Sequence, residues 1–177
     1  MSTRTVMHDA DIARALTRIS HEILESNKGP EGLVLLGIPT RGVTLADRIA
    51  LLLAEFGGAP VPVGALDVTM YRDDLHRNPT RAPRRTEIPA GGIDGKVVVL
   101  VDDVLFSGRS IRAALDALQD IGRPAAVRLA TLIDRGHREL PIRPDFVGKN
   151  LPSARDERVN VRLAEVDGAE SVTIEGR

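Results

Sequence analysis

The sequence predicts an α/β fold: a mostly parallel twisted sheet with helices on both faces, plus a small hood subdomain. The prediction rests on continuous apolar runs of strand length that alternate with segments of helical periodicity. Such runs are typical of strands buried in a parallel sheet. The chain has 177 residues, 42% of them hydrophobic, so one domain over residues 1–177 with a sizeable core is expected.

The first part of the chain alternates helix and strand. Residues 9–27 repeat Ile and Leu at helical spacing and end at Lys28-Gly29-Pro30, which predicts a helix. Residues 32–38 form a continuous apolar strand. A second helix is predicted at about 43–56, and a further strand at 61–71.

The rest of the chain contains further predicted strands and helices and two polar segments, 72–93 and 134–155. A long aperiodic stretch, about 72–93, predicts a flexible lid loop, because such connections are uncommon unless they move or bind. The segment 134–155, rich in Pro, Gly and charge, is expected to leave the sheet as the hood. The other predicted elements are strands at 97–101 and 125–133, a helix at 107–122, and closing strands at 159–166 and 171–174.

Composition excludes several classes of function. A net charge of −1 provides no global basic field for nucleic acid, and 2% aromatic residues argue against base-stacking readers of single strands. There are no cysteines, and the four histidines are scattered, so no permanent metal is expected. The start of the chain lacks an apolar stretch typical of a signal peptide, and no apolar run is long enough for a membrane span. A cytoplasmic protein without DNA or membrane partners is expected.

Two adjacent acids, Asp102 and Asp103, follow the strand 97–101 and carry the chemistry that we predict. Adjacent carboxylates are costly to bury without partners, and a pair of ribose hydroxyls is a natural partner. The run 107–110, Ser-Gly-Arg-Ser, lies where a helix begins, and helix N-termini favour phosphate. The alternative is an ordinary strand-to-helix turn with a capping Ser and an exposed Asp pair. The full string favours a site for ribose 5-phosphate.

Two arginine-containing segments could complete such a site. Arg41 follows an early buried strand and can bind phosphate oxygens with two parallel bonds, while Thr40 and Gly42 place backbone donors beside it. A cationic lid over the same ligand would exclude water. Its arginines are Arg72, Arg77, Arg81, Arg84 and Arg85.

Residues 98–110 resemble the thirteen-residue signature of type I phosphoribosyltransferases. The resemblance implies the fold of that family and transfer of ribose 5-phosphate from phosphoribosyl pyrophosphate to a base, with Mg²⁺ arriving on that substrate. Asp102 and Asp103 match the ribose-diol acids, and with Arg41 they are the expected catalytic residues. Residues 37–42 resemble the family's pyrophosphate loop. The substrate-binding residues thus implied are Thr40, Arg41, Gly42, Asp102, Asp103, Val104, Leu105, Phe106, Ser107, Gly108, Arg109 and Ser110.

Phe106 and a second resemblance narrow the choice of substrate base. Phe106 stands where hypoxanthine-guanine enzymes of the family carry a proton-transferring Asp, so their activity is not expected here. Adenine, orotate and uracil enzymes remain open on this residue alone. Residues 71–75, 101–117 and 134–150 resemble the PyrR family, which implies uracil phosphoribosyltransferase activity and control of pyrimidine biosynthesis genes through mRNA, with uridine nucleotides as co-effectors. It also implies a homodimer or higher oligomer.

The PyrR resemblance places two further sets of residues. The hood over the base would include Arg135, Val147, Gly148 and Lys149. The RNA-binding candidates are Thr17, Arg18, His21, Arg143 and Lys149. From the residues alone, Arg18 and His21 could equally belong to an ordinary solvated helix face.

Three functions remain open at this point. The chain could be a bifunctional enzyme and RNA-binding regulator. It could be a phosphoribosyltransferase without RNA binding, or a nucleotide-sensing RNA-binding regulator without useful catalysis. Intact Asp102, Asp103 and Arg41 disfavour the last, because a sensor of uridine monophosphate needs no pyrophosphate site.

Overall fold

The computed structural model describes residues 2–74 and 85–176. Eight strands and four α-helices lie along these residues, and one 3₁₀ turn, Thr69–Tyr71, follows the third strand. The strands are β1 (Ser2–Met7), β2 (Leu33–Gly37), β3 (Val63–Ala65), β4 (Val97–Leu105), β5 (Ala126–Asp134), β6 (Phe146–Asn150), β7 (Arg158–Arg162) and β8 (Ser171–Gly176). The helices are α1 (Asp9–Asn27), α2 (Arg41–Gly57), α3 (Arg109–Gln119) and α4 (Ala164–Asp167).

The central sheet has five strands in the order β3-β2-β4-β5-β6, and all neighbouring pairs are parallel. A separate antiparallel sheet has the order β1-β8-β7. Helices α1 and α2 pack on one face of the central sheet, where Ile12, Leu16 and Leu45 are buried. Helix α3 covers the other face with Ile111 and Leu118. The predicted α/β class, with helices on both faces of a parallel sheet, is confirmed.

The first helix has the predicted bounds because both of its ends carry local signals. At the start, the carboxylate of Asp11 accepts a hydrogen bond from the backbone N–H of His8 at 2.8 Å. At the end, Lys28 adopts a left-handed conformation with φ 58°, and its N–H bonds back to the last turn. No helix among residues 2–74 and 85–176 is long and apolar enough to cross a membrane.

Strand β4 is longer than predicted and includes the acid pair. The prediction ended the strand at residue 101, because two acids are unusual inside a buried strand. Pairing with β5 continues through Asp102 opposite Thr131 to Leu105 opposite Asp134. The two acids are therefore part of the regular strand, which fixes their directions more firmly than a loop would.

Two other segments differ from the prediction. The strand expected over 61–71 is confined to β3, because Asp67 accepts bonds from the N–H and hydroxyl of Thr69 and turns the chain. The segment 134–155 does not stay outside the sheet, since β6 pairs in parallel with β5 as its edge strand. Its alternating burial and short length gave little strand signal.

The antiparallel sheet was predicted only in part. Strand β1 was not expected, and it exists because its residues pair with β8 from Ser2 opposite Gly176 onwards. The closing strand expected over 159–166 ends at Arg162, and α4 follows it. Val161, Leu163 and Val172 bury this sheet in the same core as α1 and α2.

Candidate active site

The acid pair of β4 separates two cavities at the carboxyl edge of the central sheet. The carboxylate of Asp102 accepts a hydrogen bond from Asp103 N at 2.9 Å, and that of Asp103 accepts one from Val104 N at 2.8 Å. Asp102 lines one cavity of about 260 Å³, and Asp103 lines another of about 520 Å³. Ligands of open α/β sheets bind at this edge.

The smaller cavity, called here the turn cavity, lies along residues 104–111 and receives Arg72, Asp73 and Asp74 from the other side. Gly108 begins α3 in a left-handed conformation with φ 91°. A side chain there would meet Ile142 at 3.1 Å, so Gly is needed for this close packing. The turn thereby places the N-terminus of an eleven-residue helix at the cavity.

The hood holds the turn before α3 from behind. The backbone oxygen of Ser107 accepts hydrogen bonds from Glu139 N at 2.9 Å and Leu140 N at 3.2 Å. Arg138 donates to the Phe106 oxygen at 2.8 Å and pairs with Asp134 at 2.7 Å. The backbone of this turn is therefore fixed by the hood rather than only by its own hydrogen bonds.

The arginines around the turn cavity contact acids of the protein itself. Arg109 pairs with Asp73 at 2.6 Å and with Glu139 at 2.9 Å. Arg72 pairs with Asp74 at 2.9 Å. Both arginines are therefore paired with acids at the start of the predicted lid, Asp73 and Asp74. Of the other predicted lid arginines, Arg85 lies 3.8 Å from Glu87 in an exposed pair, and Arg77, Arg81 and Arg84 lie outside the described residues.

The larger cavity, called here the Arg41 cavity, lies between the start of α2 and β7. It is lined by Arg41, Asp103, Arg158, Arg162 and Asp167, among others. Three arginines here can balance the charge of a polyanion. The neighbouring turn holds a cis peptide bond between Pro39 and Thr40.

Gly42 sets the distance between this turn and the acid pair. A side-chain carbon added at Gly42 would lie 2.4 Å from the Val101 oxygen and 3.3 Å from Asp102 Cα. The Ile38 N–H also donates to the Val101 oxygen at 2.9 Å. The backbone of the Arg41 turn therefore lies directly against β4 at the acids.

Arg41 itself forms a two-bond ion pair with Asp167 of α4. Its Nη2 lies 2.7 Å from Oδ1 and its Nε 3.1 Å from Oδ2. This hydrogen bonding raises the pKa of Arg41 and lowers the pKa of the Asp167 carboxyl below its ordinary value. Both groups are therefore charged at neutral pH.

Arg135 of the hood lies over the ring of Phe106. Its guanidinium carbon is 4.3 Å from the ring centroid, a cation–π distance, and His137 meets the same ring edge-on at 6.0 Å. Arg135 is 7% exposed, and its Nε is buried without a hydrogen-bond partner among the described residues. Burial lowers the pKa of this guanidinium. Its Nη2 donates to the Ala154 oxygen at 2.9 Å.

We expect Arg135→Met to raise the KM for the base about tenfold while changing the free energy of unfolding by less than about 1 kcal/mol. Met fills similar space, and it removes a buried Nε that has no hydrogen-bond partner among the described residues, which offsets the loss of the bonds that Arg135 donates to the oxygens of residues 154 and 155. The stack on Phe106 and the bond to residue 154 would both be lost. Steady-state kinetics and urea unfolding measure the two effects.

Arg155→Met is the matched control, since Arg155 is 65% exposed and, within the described part of the chain, forms an ion pair with Glu139 alone. This control should change the KM for the base by less than about twofold and the free energy of unfolding by less than about 0.5 kcal/mol. An unchanged KM in Arg135→Met would contradict a role for Arg135 at the base.

The RNA-binding candidates fall into one partly joined group. Arg18 donates to the backbone oxygens of Val147 at 2.9 Å and Gly148 at 2.5 Å, which brings α1 against β6. Arg18 and Lys149 line the same shallow groove. His21, one turn further along α1, stacks on Phe56 at 4.1 Å.

The two remaining candidates have different surroundings. Thr17 is half-buried on α1, and Arg143 is exposed in the loop before β6. In the hood, Gly148 is buried and a side chain there would meet the Leu132 oxygen at 2.5 Å. Val147 and Gly148 contact α1 through Arg18, while Arg135 faces Phe106. The predicted hood residues are therefore divided between two sides of the β5–β6 region.

The structure brings most predicted site residues to one sheet edge and adds others that the sequence did not indicate. Asp167, Arg158 and Arg162 line the Arg41 cavity, and Arg138 supports the Phe106 backbone. No local pattern marks them, because they reach the site only through the packing of segments that are far apart in the chain. Within residues 2–74 and 85–176, no three His, Asp or Glu side chains converge to hold a metal ion.

The fold and the residues at the carboxyl edge of the central sheet indicate a phosphoribosyltransferase. Comparison with known families agrees. The family described as "Phosphoribosyl transferase domain" matches residues 4–164. The chain is 71% identical to "Bifunctional protein PyrR" of Leifsonia xyli over 99% of this chain and 98% of the relative. It is 65% identical to the protein of that name from Streptomyces coelicolor, over 97% and 89%. The chain belongs to the PyrR family of phosphoribosyltransferases, and that prediction is confirmed.

Solved structures show the same fold at low sequence identity. A hypoxanthine phosphoribosyltransferase from Trypanosoma cruzi has a TM-score of 0.73 at 17% identity, covering 98% of this chain and 91% of that one. One from Staphylococcus aureus has a TM-score of 0.69 at 18% identity, covering 96% and 90%. These similarities confirm the predicted phosphoribosyltransferase fold, and at this identity they carry no information on the base.

Proposed function

We propose that this chain is a cytoplasmic uracil phosphoribosyltransferase that also regulates pyrimidine biosynthesis genes by uridine-nucleotide-dependent binding to mRNA. The observation that carries the enzymatic part is the position of Asp102 and Asp103 between two cavities. Phosphoribosyl pyrophosphate has a phosphate at one end, a diol in the middle and a pyrophosphate beside the reacting carbon. Its parts match the turn cavity, the acid pair and the Arg41 cavity in that order.

The proposed reaction uses charge already held at these sites. Uracil N1 forms a bond to the anomeric carbon of the ribose as the bond from that carbon to pyrophosphate breaks. The electron pair of the broken bond leaves with the pyrophosphate oxygen, and the N1 proton passes to solvent or to the leaving pyrophosphate. Positive charge develops on the sugar, where the carboxylates of Asp102 and Asp103 stabilise it. The N-terminus of α3 holds the 5-phosphate. Arg41 holds the leaving group through two charge-assisted bonds.

Mg²⁺ would enter with the pyrophosphate group, and carboxylates such as Asp103 provide the hard oxygen ligands that this ion prefers. The described acids do not form a cluster that would hold the ion alone. They are suited to sharing it with phosphate oxygens, as Mg²⁺ usually requires.

Phe106 and Arg135 support a pyrimidine as the substrate base. They do not suit a purine whose reaction needs proton transfer by the residue at position 106. Phe cannot act as acid or base, and the guanidinium stacked on it closes the ring face at 4.3 Å. Membership of the PyrR family supports uracil among the pyrimidines. Base recognition then falls to the hood.

Turnover with a panel of bases tests the enzymatic proposal. Pyrophosphate release from phosphoribosyl pyrophosphate and Mg²⁺ is measured with uracil, orotate, adenine and hypoxanthine. We expect release with uracil alone. Turnover only with another base would overturn uracil specificity, and no turnover beside tight uridine monophosphate binding would favour a nucleotide sensor.

The proposed RNA surface is the face on which α1 meets β6. Arg143 and Lys149 are exposed there or in the preceding loop, and basic side chains bind RNA phosphates in a salt-dependent way. A homodimer or higher oligomer would place two such faces in one particle. Light scattering would check that state.

We expect the double variant Arg143→Gln, Lys149→Gln to lower affinity for the leader RNA of the chain's own pyrimidine genes by about tenfold or more. Two phosphate contacts would be lost, so the slope of log affinity against log salt should fall by roughly 2. Filter binding with uridine monophosphate at about 50 mM and about 200 mM salt measures both.

Arg112→Gln provides the control, because Arg112 is exposed on α3, across the sheet from α1. It should leave RNA affinity unchanged. A double variant with the affinity and salt slope of the wild type would contradict the assignment of RNA binding to this surface. If the wild-type protein itself binds no RNA, the alternative of a phosphoribosyltransferase without RNA binding is favoured.

A further inference from the structure

Asp167 occupies the donor edge of Arg41 that a phosphate group would use. Two parallel bonds of 2.7 and 3.1 Å join the guanidinium to the carboxylate. A guanidinium binds two phosphate oxygens in the same fork geometry. The pair is largely shielded, with side-chain exposures of 33% for Arg41 and 18% for Asp167. Both side chains line the Arg41 cavity together with Asp103.

Asp167 is held in this position by contacts that do not involve Arg41. Its Oδ2 accepts a hydrogen bond from the Leu163 N–H at 2.8 Å. Helix α4 is attached to α2 by Arg48, which pairs with Glu165 at 2.5 Å and Glu170 at 2.7 Å. The carboxylate is therefore presented to the start of α2 by its own surroundings.

We propose that Asp167 is a positioning residue that competes with pyrophosphate for Arg41. The inference rests on the proposed function, because it takes the Arg41 cavity as the pyrophosphate subsite. With no ligand, the two bonds from Asp167 hold the Arg41 guanidinium in one orientation at the cavity. When pyrophosphate binds, one anion replaces another on the same guanidinium. Part of the binding free energy is used to break the ion pair, so pyrophosphate binds less tightly and leaves more readily.

The released carboxylate has other cationic neighbours. Arg162 is near enough to lower the pKa of Asp167 by its charge, and Arg158 lines the same cavity. The exchange therefore leaves no buried carboxylate without a counter-charge. A ligand can shift such an equilibrium only by its different affinity for the two arrangements, and the paired arrangement binds the anion less well.

The variant Asp167→Asn tests this competition by direct binding of magnesium pyrophosphate. Its amide oxygen can still accept the Leu163 hydrogen bond, but the charge that holds Arg41 is gone. We expect the Kd for magnesium pyrophosphate to fall roughly 3- to 10-fold, which is the range expected for loss of a partly shielded ion pair. Inhibition by product pyrophosphate should strengthen by the same factor, and KM for phosphoribosyl pyrophosphate should fall.

Two further variants separate competition from a structural effect. Glu165→Gln removes one anchor of α4 without touching the Arg41 pair, and should leave the Kd within about twofold of wild type. Asp167→Ser, whose side chain is shorter, should reproduce the gain seen with Asn. In a background of Arg41→Gln, adding Asp167→Asn should not restore or strengthen the weakened pyrophosphate binding, because both changes act through one guanidinium.

The outcomes distinguish this inference from the proposed function. Unchanged or weaker pyrophosphate binding by both Asp167 variants would overturn the competition, while loss of binding in Arg41→Gln alone would uphold the subsite. Weaker binding would instead indicate that the carboxylate helps to hold the magnesium complex. Wild-type pyrophosphate binding by Arg41→Gln would overturn the subsite itself, and the competition with it.

Discussion

Replacing Asp102 and Asp103 together by Asn is expected to lower kcat/KM for phosphoribosyl pyrophosphate by at least about 100-fold. Preorganised charge aimed at a developing charge is commonly worth a factor of about 10² to 10³ per group. Both carboxylates would lose the negative charge that stabilises the sugar cation. Initial rates of uracil-dependent pyrophosphate release measure the effect.

The fold should survive this change, because Asn can keep both local hydrogen bonds. The side-chain oxygens at 102 and 103 accept from the next N–H at 2.9 and 2.8 Å, and an amide oxygen can do the same. Asp116→Asn, at an exposed position of α3, is the matched control and should keep full activity. Turnover of the double variant within a few-fold of wild type would refute the role of the acid pair.

The second large effect is expected from Gly42→Ala. The new methyl group would lie 2.4 Å from the Val101 oxygen, a backbone atom that cannot move aside without displacing β4. We expect the free energy of unfolding to fall by about 2 to 4 kcal/mol, as for other overpacked sites. The kcat/KM should fall about tenfold or more, because Arg41 and Asp102 would both shift. Urea unfolding and steady-state kinetics give the two values.

Gly91→Ala is the control for the loss of a glycine as such. None of the described residues comes within 4 Å of a side-chain carbon added there, and Gly91 does not need a left-handed conformation. Stability should change by less than about 0.5 kcal/mol. If Gly42→Ala were equally harmless, the close contact between the Arg41 turn and β4 would be wrong.

The elements that could be predicted from sequence are those with a strong local signal. Helix α1 has periodic apolar residues and distinct signals at both ends, and its bounds were predicted correctly. Strand β2 is a continuous apolar run and β5 is rich in apolar residues, and the positions of both agree with the prediction within a residue or two. The acid pair and Arg41 were singled out by their residue types and their order along the chain, and their catalytic roles stay predictions.

The features that were missed depend on distant partners. Strand β1 has an exposed, polar pattern and is defined only by pairing with β8, at the other end of the chain. Strand β4 continues through two acids because β5 lies beside them. Asp167 comes near Arg41 across 126 positions of sequence. Hydrophobic periodicity carries no information on such contacts.

The most direct test of the account is whether one chain can bind both reaction products, uridine monophosphate and pyrophosphate, at the same time. Calorimetry would measure magnesium pyrophosphate binding to protein saturated with uridine monophosphate, which we expect to occupy the turn cavity and the acid pair. The two-cavity arrangement predicts one pyrophosphate bound per chain, with loss of this binding in Arg41→Gln. Mutual exclusion of the two ligands would contradict it, because both would then occupy the same cavity.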